Sequence, residues 1–293
     1  MRSDKSRRRF VFLCVAPATI LFFLFMILPT LNVFRMSLYE RGAYSPNETF
    51  VGLKNFQHLL KDTQFIRSMQ NMILLVVVVT IVTFAFALVF AAILTREKIK
   101  GQNFFRVIFY IPNILSVVVI SGIFSAIYKP ENGMLNSIIG LFRDMTDPIL
   151  WKGEKLVIPS IIIAMVWQAV GYYMVMYMAS MSSVPASLYE SATLDGAGFF
   201  QKVRFITVPG IRAIIAPAAV MTTFITFKQF DIVYLLTQQK GYMTGADLNT
   251  VITYAYQNAF VSNNYGLSSA VSMLLFVLII LFSLATNRSL REE

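Results

Sequence analysis

Apolar residues in this chain fall into long uninterrupted runs. Residues 10–34, 71–95, 107–128, 156–188, 213–227 and 265–287 hold no Asp, Glu, Lys or Arg. A membrane-crossing helix needs about 20 mostly apolar residues. In the fourth run only the first two-thirds is strongly apolar, which puts its span at 157–180. The fifth is short and extends through Ile232-Val233-Tyr234-Leu235-Leu236 to cover 213–236. Inside lipid every backbone group must be bonded internally, so only helices and closed barrels cross. The alternation of barrel strands is missing. The pattern therefore predicts an all-α integral membrane protein. It has six transmembrane helices, at about 10–34, 71–95, 107–128, 157–180, 213–236 and 265–287, in a single transmembrane domain spanning 1–293.

Composition narrows the choice. Hydrophobic residues make up 57% of the chain and charged residues 14%, against about 45–50% and about 25% in soluble domains. So few charges do not cover a soluble surface, and so many apolar residues exclude intrinsic disorder. Cys14 is the only cysteine, which rules out a disulfide framework or a Cys-based zinc site. His58 is the only histidine, which rules out a multi-histidine metal centre. No cofactor and no metal are expected. Within the first run, Cys14 reads as an inert small hydrophobe.

The net charge of +10 would suit nucleic acid or anionic lipid. Its distribution favours topology. With a cytoplasmic N-terminus, the inner segments are the N-terminal tail, 96–106, 181–212 and the C-terminal tail. They hold 14 of the 25 Lys and Arg, the sense of the positive-inside rule. Both termini are then cytoplasmic, as in a multi-pass protein of a prokaryotic plasma membrane. Arg2, Lys5, Arg7, Arg8 and Arg9 precede a run far longer than a signal-peptide core, with no small-residue cleavage site after it, so the run reads as an uncleaved anchor. No basic cluster with stacking aromatics on a soluble face suggests nucleic acid.

Between the spans no soluble domain fits. Segment 35–70 holds turn residues Gly42, Pro46 and Asn47 and a stretch at 50–56 that predicts a short surface helix. Segment 129–155 holds Trp151, an interfacial anchor by type. Segment 237–264 holds Gly241 and Gly245. The loop after the fourth span is the informative one. Pro185 suits a helix start. Ser187 and Glu190 have capping-box spacing, and the helix dipole favours Glu190 near that start. Gly196 and Gly198 stop the helix by taking positive φ. A second helical piece runs from Phe199 to Pro209. The prediction is two short helices around a sharp glycine turn. Ser191, Ala192, Gly196, Ala197 and Gly198 keep it slim enough for another protein to approach.

Glu190-Ser191-Ala192, then Asp195-Gly196-Ala197, Phe205 and Pro209 resemble the EAA loop of the membrane subunits of binding-protein-dependent ABC importers. Ser191 stands where that family usually has alanine. Phe50-Val51-Gly52-Leu53 with Asn55-Phe56, and Phe227-Lys228-Gln229-Phe230-Asp231-Ile232-Val233-Tyr234-Leu235-Leu236-Thr237, resemble further stretches of sugar permeases of the maltose and glycerol-3-phosphate type, in particular the first of their two permeases. Gln238-Gln239-Lys240-Gly241 depart from the Gly-Gly-Pro usual there. The resemblance implies an EAA-type coupling helix on the cytoplasmic side between helices 4 and 5, with Glu190, Ser191, Ala192, Asp195, Gly196, Ala197 and Pro209 seated in an ATPase subunit. Glu190 would pair with basic groups there. Asp195 would either cap the second helix or stabilise the turn. The implied partners are a second six-helix permease, ATP-binding-cassette ATPase subunits, an extracytoplasmic solute-binding protein and lipid.

The chain lacks the G-x-x-x-x-G-K-[ST] phosphate loop, so hydrolysis is expected in a separate subunit and this chain is not expected to be an enzyme. A sugar path would use aromatic faces with amide or hydroxyl groups. Candidates are Gln168, Tyr172 and Tyr173 in the fourth span, Thr222, Thr223, Thr226, Phe227 and Asp231 in or beside the fifth, and Ser268, Ser269 and Ser272 in the sixth. Serine and threonine in spans also bond helix to helix, and Asp231 has Lys228 at pairing distance along a helix. A stand-alone secondary transporter of a polar solute is the alternative. It would want inverted repeats and buried titratable groups, and the spans hold almost none.

Overall fold

The computed structural model describes residues 2–41, 48–96, 101–143, 147–237 and 249–289. Gly42, Pro46, Asn47, Gly241 and Gly245, and the departure at 238–241, lie outside them. The elements run α1 (Ser6–Met36), β1 (Tyr39–Glu40), β2 (Thr49–Phe50), α2 (Lys54–Leu59), α3 (Thr63–Arg96), α4 (Gln102–Ile114), α5 (Val117–Ile127), α6 (Met134–Gly140), α7 (Val157–Met181), α8 (Ala186–Leu194), α9 (Phe199–Gly210), α10 (Arg212–Phe227), α11 (Asp231–Thr237), α12 (Val251–Tyr256) and α13 (Tyr265–Ser289). Four helices are long and apolar enough to cross a membrane, or up to six if each of two bent pairs, α4 with α5 and α9 with α10, is one span.

Contacts group the chain into two units. The first comprises Met1–Ile66 and Tyr254–Leu278. Its short hairpin pairs Tyr39 with Phe50 and Glu40 with Thr49. Arg35 and Arg41 both reach Glu48, at 2.9 and 2.7 Å. The Asn55 amide donates to the carbonyls of Ser37 and Tyr39, so the predicted surface helix α2 is tied to the hairpin that precedes it. Asp62 begins α3 as an N-cap: its Oδ1 accepts from the N–H of Gln64 at 2.7 Å and of Phe65 at 3.3 Å. Its Oδ2 accepts from Tyr254 at 2.5 Å. Burial alone would raise the Asp62 carboxyl. The bonds from Tyr254, Gln64 and Phe65, with His58 nearby, outweigh it and hold the group below its usual range.

In α1 the most apolar stretch is not buried in the chain at all. The helical conformation already begins at Arg2, ahead of the apolar span that opens at Ser6, so the basic tail is helical too. It widens to a π-helix at Phe23–Ile27, just before Pro29. A proline ring collides with the carbonyl four residues back, and a π-turn moves that carbonyl aside.

The second unit comprises Arg67–Thr253 and Ile279–Glu293. One apolar cluster gathers Ile120, Phe124, Ile161, Ile232 and Leu236; another gathers Ala87, Ala91, Met174, Tyr177 and Ile211. At the crossing of α4 and α7 a Cβ on Gly171 would fall 1.8 Å from the carbonyl oxygen of Phe109. Lipid gives helices no hydrophobic reason to associate, so close approach at a small residue supplies the packing. Trp151, read from its type as an interfacial anchor, here donates to Asn136 at 2.8 Å and stacks on Tyr128 at 6.3 Å. It serves as the pin of a polar knot.

Two stretches expected to be single helices are broken. Over 107–128 the chain bends by 101° between α4 and α5. Pro112 weakens the last turn of α4, Leu115 is extended, and the Ser116 hydroxyl caps α5 by accepting from Val119 N–H at 3.3 Å. Over 213–236 the helix stops at Phe227 and restarts at Asp231. Lys228 lies over the Phe224 ring, 4.7 Å from its centroid. Among the described residues no ion pair joins it to Asp231.

Candidate functional site

Two features of the second unit carry chemistry. The first is the loop 184–210. Pro185 caps α8 with its backbone in the extended region. Because α8 opens at Ala186, Ser187 falls inside the helix and the expected Ser187–Glu190 capping box does not form; the helix N-cap makes no side-chain bond. The C-terminus closes as a Schellman motif. Ala197 N–H reaches the Ala192 carbonyl at 2.8 Å and Gly196 N–H the Thr193 carbonyl at 3.1 Å. Gly196 takes φ +76°, which the motif requires and which favours glycine. Gly198, expected to do the same, is extended instead and caps α9; its N–H donates to Gln201 Oε1 at 2.7 Å.

The face of α8 turned inward is anchored by Val184 and Tyr189, both buried. Glu190, Ser191, Asp195, Gly196 and Pro209 are exposed, and Ala192 and Ala197 half-buried. Leu188, Leu194, Phe200 and Phe205 are also exposed. A cavity of about 490 Å³ lies between the arms, walled by Tyr189, Glu190, Thr193, Lys202, Thr207 and Ala92 of α3. The seven loop residues singled out in the sequence thus share one turn and its two flanking helices. The surface they present mixes a carboxylate pair with large bare apolar side chains.

The second feature is a cavity of about 300 Å³ among α3, α4, α5, α7 and α10. Its polar groups are Asn113, Gln168, Tyr172, Tyr173, Thr222, Thr226 and Gln229. The two tyrosine rings meet edge to face at 5.1 Å, and Tyr173 is hydrogen-bonded to Thr222. Both helix breaks open on this cavity: Asn113 and Val117 flank one, Thr226 and Gln229 the other. At membrane depth, irregular backbone is tolerated only where protein buries it or a wet cavity receives it.

Of the path candidates read from the sequence in or beside the fourth and fifth spans, Gln168, Tyr172, Tyr173, Thr222 and Thr226 line this cavity. Thr223, Phe227 and Asp231 do not. Phe227 is fully buried and packs edge-on against Phe282 at 5.4 Å. Asp231 is exposed at the start of α11. Of the span-six serines, Ser268 donates to the Ala255 carbonyl and Ser272 to that of Ser268, the structural use such residues often have.

Residues 86–291 match the family described as the inner membrane component of binding-protein-dependent transport systems. The chain belongs to this family. It is an importer permease of the ABC type and not an enzyme: the relatives it matches are permease subunits of transporters. The permease is 33% identical to a probable ABC transporter permease, YurN, of Bacillus subtilis, over 93% of both chains. It is 28% identical to the diacetylchitobiose uptake permease NgcF of Streptomyces coelicolor, over 90% of this chain and 77% of that one. It is also 28% identical to the trehalose/maltose permease MalF of Thermococcus litoralis, over 93% and 90%. Its fold is similar to a chain of a bacterial ABC transporter that imports alginate, with a TM-score of 0.84 at 24% identity over 99% and 98% of the two chains. The permease is thus a multi-pass inner-membrane protein. Asn113 and Gln229, which the sequence reading did not single out, also line its cavity. Their position at breaks in apolar runs is the signal that was there to be read.

Proposed function

We propose that this permease forms, with a second six-helix permease, the path of an importer for sugars or oligosaccharides. The whole of 1–293 acts as one transmembrane domain. The bent pair α4 with α5 counts as one span and α10 with α11 as another, which gives six with α1, α3, α7 and α13, and the basic N-terminal segment and the loop 184–210 face the cytoplasm. The exposed turn with Glu190, Ser191, Asp195 and Gly196 meets an ATPase subunit: the carboxylates pair with its basic groups, and Leu188, Leu194 and Phe200 supply apolar contact. A rigid piece pushed by a nucleotide-driven partner biases a bundle between two states. The cavity receives the solute. Amide and hydroxyl groups satisfy its hydroxyls, and the faces of Tyr172 and Tyr173 suit the C–H faces of a sugar ring. Relatives named for trehalose/maltose and diacetylchitobiose support that solute class. A solute-binding protein delivers the sugar from the opposite side.

The observation that carries the reading is the glycine turn that leaves Glu190, Ser191, Asp195 and Gly196 exposed on a loop whose inner face is buried. Its test is purification from native membranes without crosslinking. The permease is expected to emerge with an ATP-binding-cassette ATPase and a second permease, and Glu190→Ala to weaken recovery of the ATPase. Isolation as a lone carrier active on an ion gradient overturns it.

A further inference from the structure

The two arms of the loop 184–210 are clasped by side chains. Tyr189 Oη lies 2.9 Å from Thr207 Oγ1, both atoms buried. Thr207 directs its own hydroxyl hydrogen to the Lys202 carbonyl at 3.3 Å, which leaves Tyr189 as the donor. At the surface, Lys202 Nζ donates to Thr193 Oγ1 at 2.9 Å, and Thr193 in turn donates to the Tyr189 carbonyl at 2.6 Å. The clasp therefore closes a ring through α8 and α9, with the glycine turn at one end.

Thr207 sits at a particular place. It ends the π-helical stretch Val203–Thr207, two residues before Pro209. This repeats the arrangement in α1, where the π-stretch Phe23–Ile27 ends two residues before Pro29. The π-turn aims Thr207 at Tyr189; a regular helical register would rotate it away by about 100°. Beyond it the chain bends by 81° into α10. That helix brings Thr222 and Thr226 to the wall of the 300 Å³ cavity. In α1 the residue at the matching position is Ile27, which has no hydroxyl to offer a partner.

We propose that Tyr189 and Thr207 are positioning residues that make α8 and α9 one rigid piece, so that a displacement imposed on α8 reaches α10 and the cavity. The inference rests on the reading of 184–210 as the ATPase contact. Without the clasp, the Gly196 turn is the remaining covalent link between the arms, and a turn transmits a push poorly. The ATPase would still bind and hydrolyse, but its cycle would be lost on the path.

The test uses the whole importer with its ATPase and partner permease, in proteoliposomes. Met221 at the cavity is changed to Cys in a Cys14→Ala background and probed with a charged maleimide, with and without ATP and vanadate. In this parent the labelling rate is expected to change with nucleotide. Tyr189→Phe, which removes one oxygen, and Thr207→Val are expected to shrink that change about fivefold, the size of effect one buried hydrogen bond exerts on a two-state equilibrium. ATP hydrolysis is expected to continue in both, and Thr207→Ser, which keeps the hydroxyl, to restore the response. A full nucleotide response in Tyr189→Phe overturns the proposal. So does a parallel loss of hydrolysis and protein level in Tyr189→Phe, which marks a merely structural bond. Gly196→Val separates the two ideas: if it leaves the nucleotide response intact, the coupling role of the loop itself fails, whatever the clasp does.

Discussion

The crossing of α4 on α7 and the loop 184–210 belong to the same unit but are held by opposite means. At the crossing, Gly171 lets one backbone rest on another, and the surroundings are apolar. In the loop, two helices of nine and 12 residues are held by a left-handed glycine, a Schellman closure and a ring of hydroxyl bonds. The difference follows from the solvent. Between spans, lipid competes for apolar contact, so only shape is left to select a partner. The proposed function places the loop at the aqueous face, where a hydrophobic patch is worth something; there Leu188, Leu194 and Phe200 stay bare while polar ties hold the arms. The crossing is fixed by backbone shape, and the loop by polar ties that leave its apolar side chains exposed.

The largest effect expected from breaking this contrast is at the crossing. Gly171→Leu drives side-chain atoms into the Phe109 carbonyl and should cost about 3 kcal/mol or more; little folded permease should survive detergent extraction, as read by size-exclusion profile. Gly171→Ala should be milder but still lower the melting temperature. A wild-type melting temperature for the leucine variant would mean that the two helices are not packed through backbone.

Next comes the turn. No atom lies within 4 Å of a Cβ on Gly196, so the whole penalty of Gly196→Val is conformational, about 1–2 kcal/mol for a left-handed residue. Membrane insertion and protein level should be kept and transport lost. Asparagine tolerates that region, so Gly196→Asn should retain a good part of uptake. Equal loss in both variants would point to contact with the missing side chain and not to backbone shape.

The smallest effect lies in the first unit, at a polar tie of the same kind. Asp62 has a lowered pKa, so its contribution is complete above the ordinary carboxylate value of about 4 and fades as the pH falls through its folded value. Thermal unfolding followed downward in pH should lose stability below about pH 4, and Asp62→Asn, which still caps α3, should flatten that dependence. A variant with the same pH slope would assign the acid sensitivity to another carboxylate.

Much of this was legible in the residues. The apolar runs located the long helices, because backbone bonding in lipid leaves few alternatives. The glycine turn with its flanking helices was legible because only glycine sits comfortably at positive φ. Five cavity groups, Gln168, Tyr172, Tyr173, Thr222 and Thr226, were found because polar and aromatic residues stand out in an apolar run. Phe227 and Asp231 stood out equally and face elsewhere, since residue type does not say which side of a helix is wet. The hairpin at Tyr39 and Phe50 was invisible because two-residue strands carry no periodicity.

Sequence by itself determined that the chain enters a membrane, that it lacks a phosphate loop of its own, and that a small-residue loop interrupts its spans. Those properties are local: they depend on runs, on the absence of a motif and on the freedom of a glycine. Tertiary structure alone decided that two helix breaks, more than a hundred residues apart in the chain, open on one cavity. It also decided that Tyr189 finds Thr207 across the turn. The first depends on where the 101° bend between α4 and α5 and the break between α10 and α11 send the chain, the second on the π-stretch that turns Thr207 toward α8.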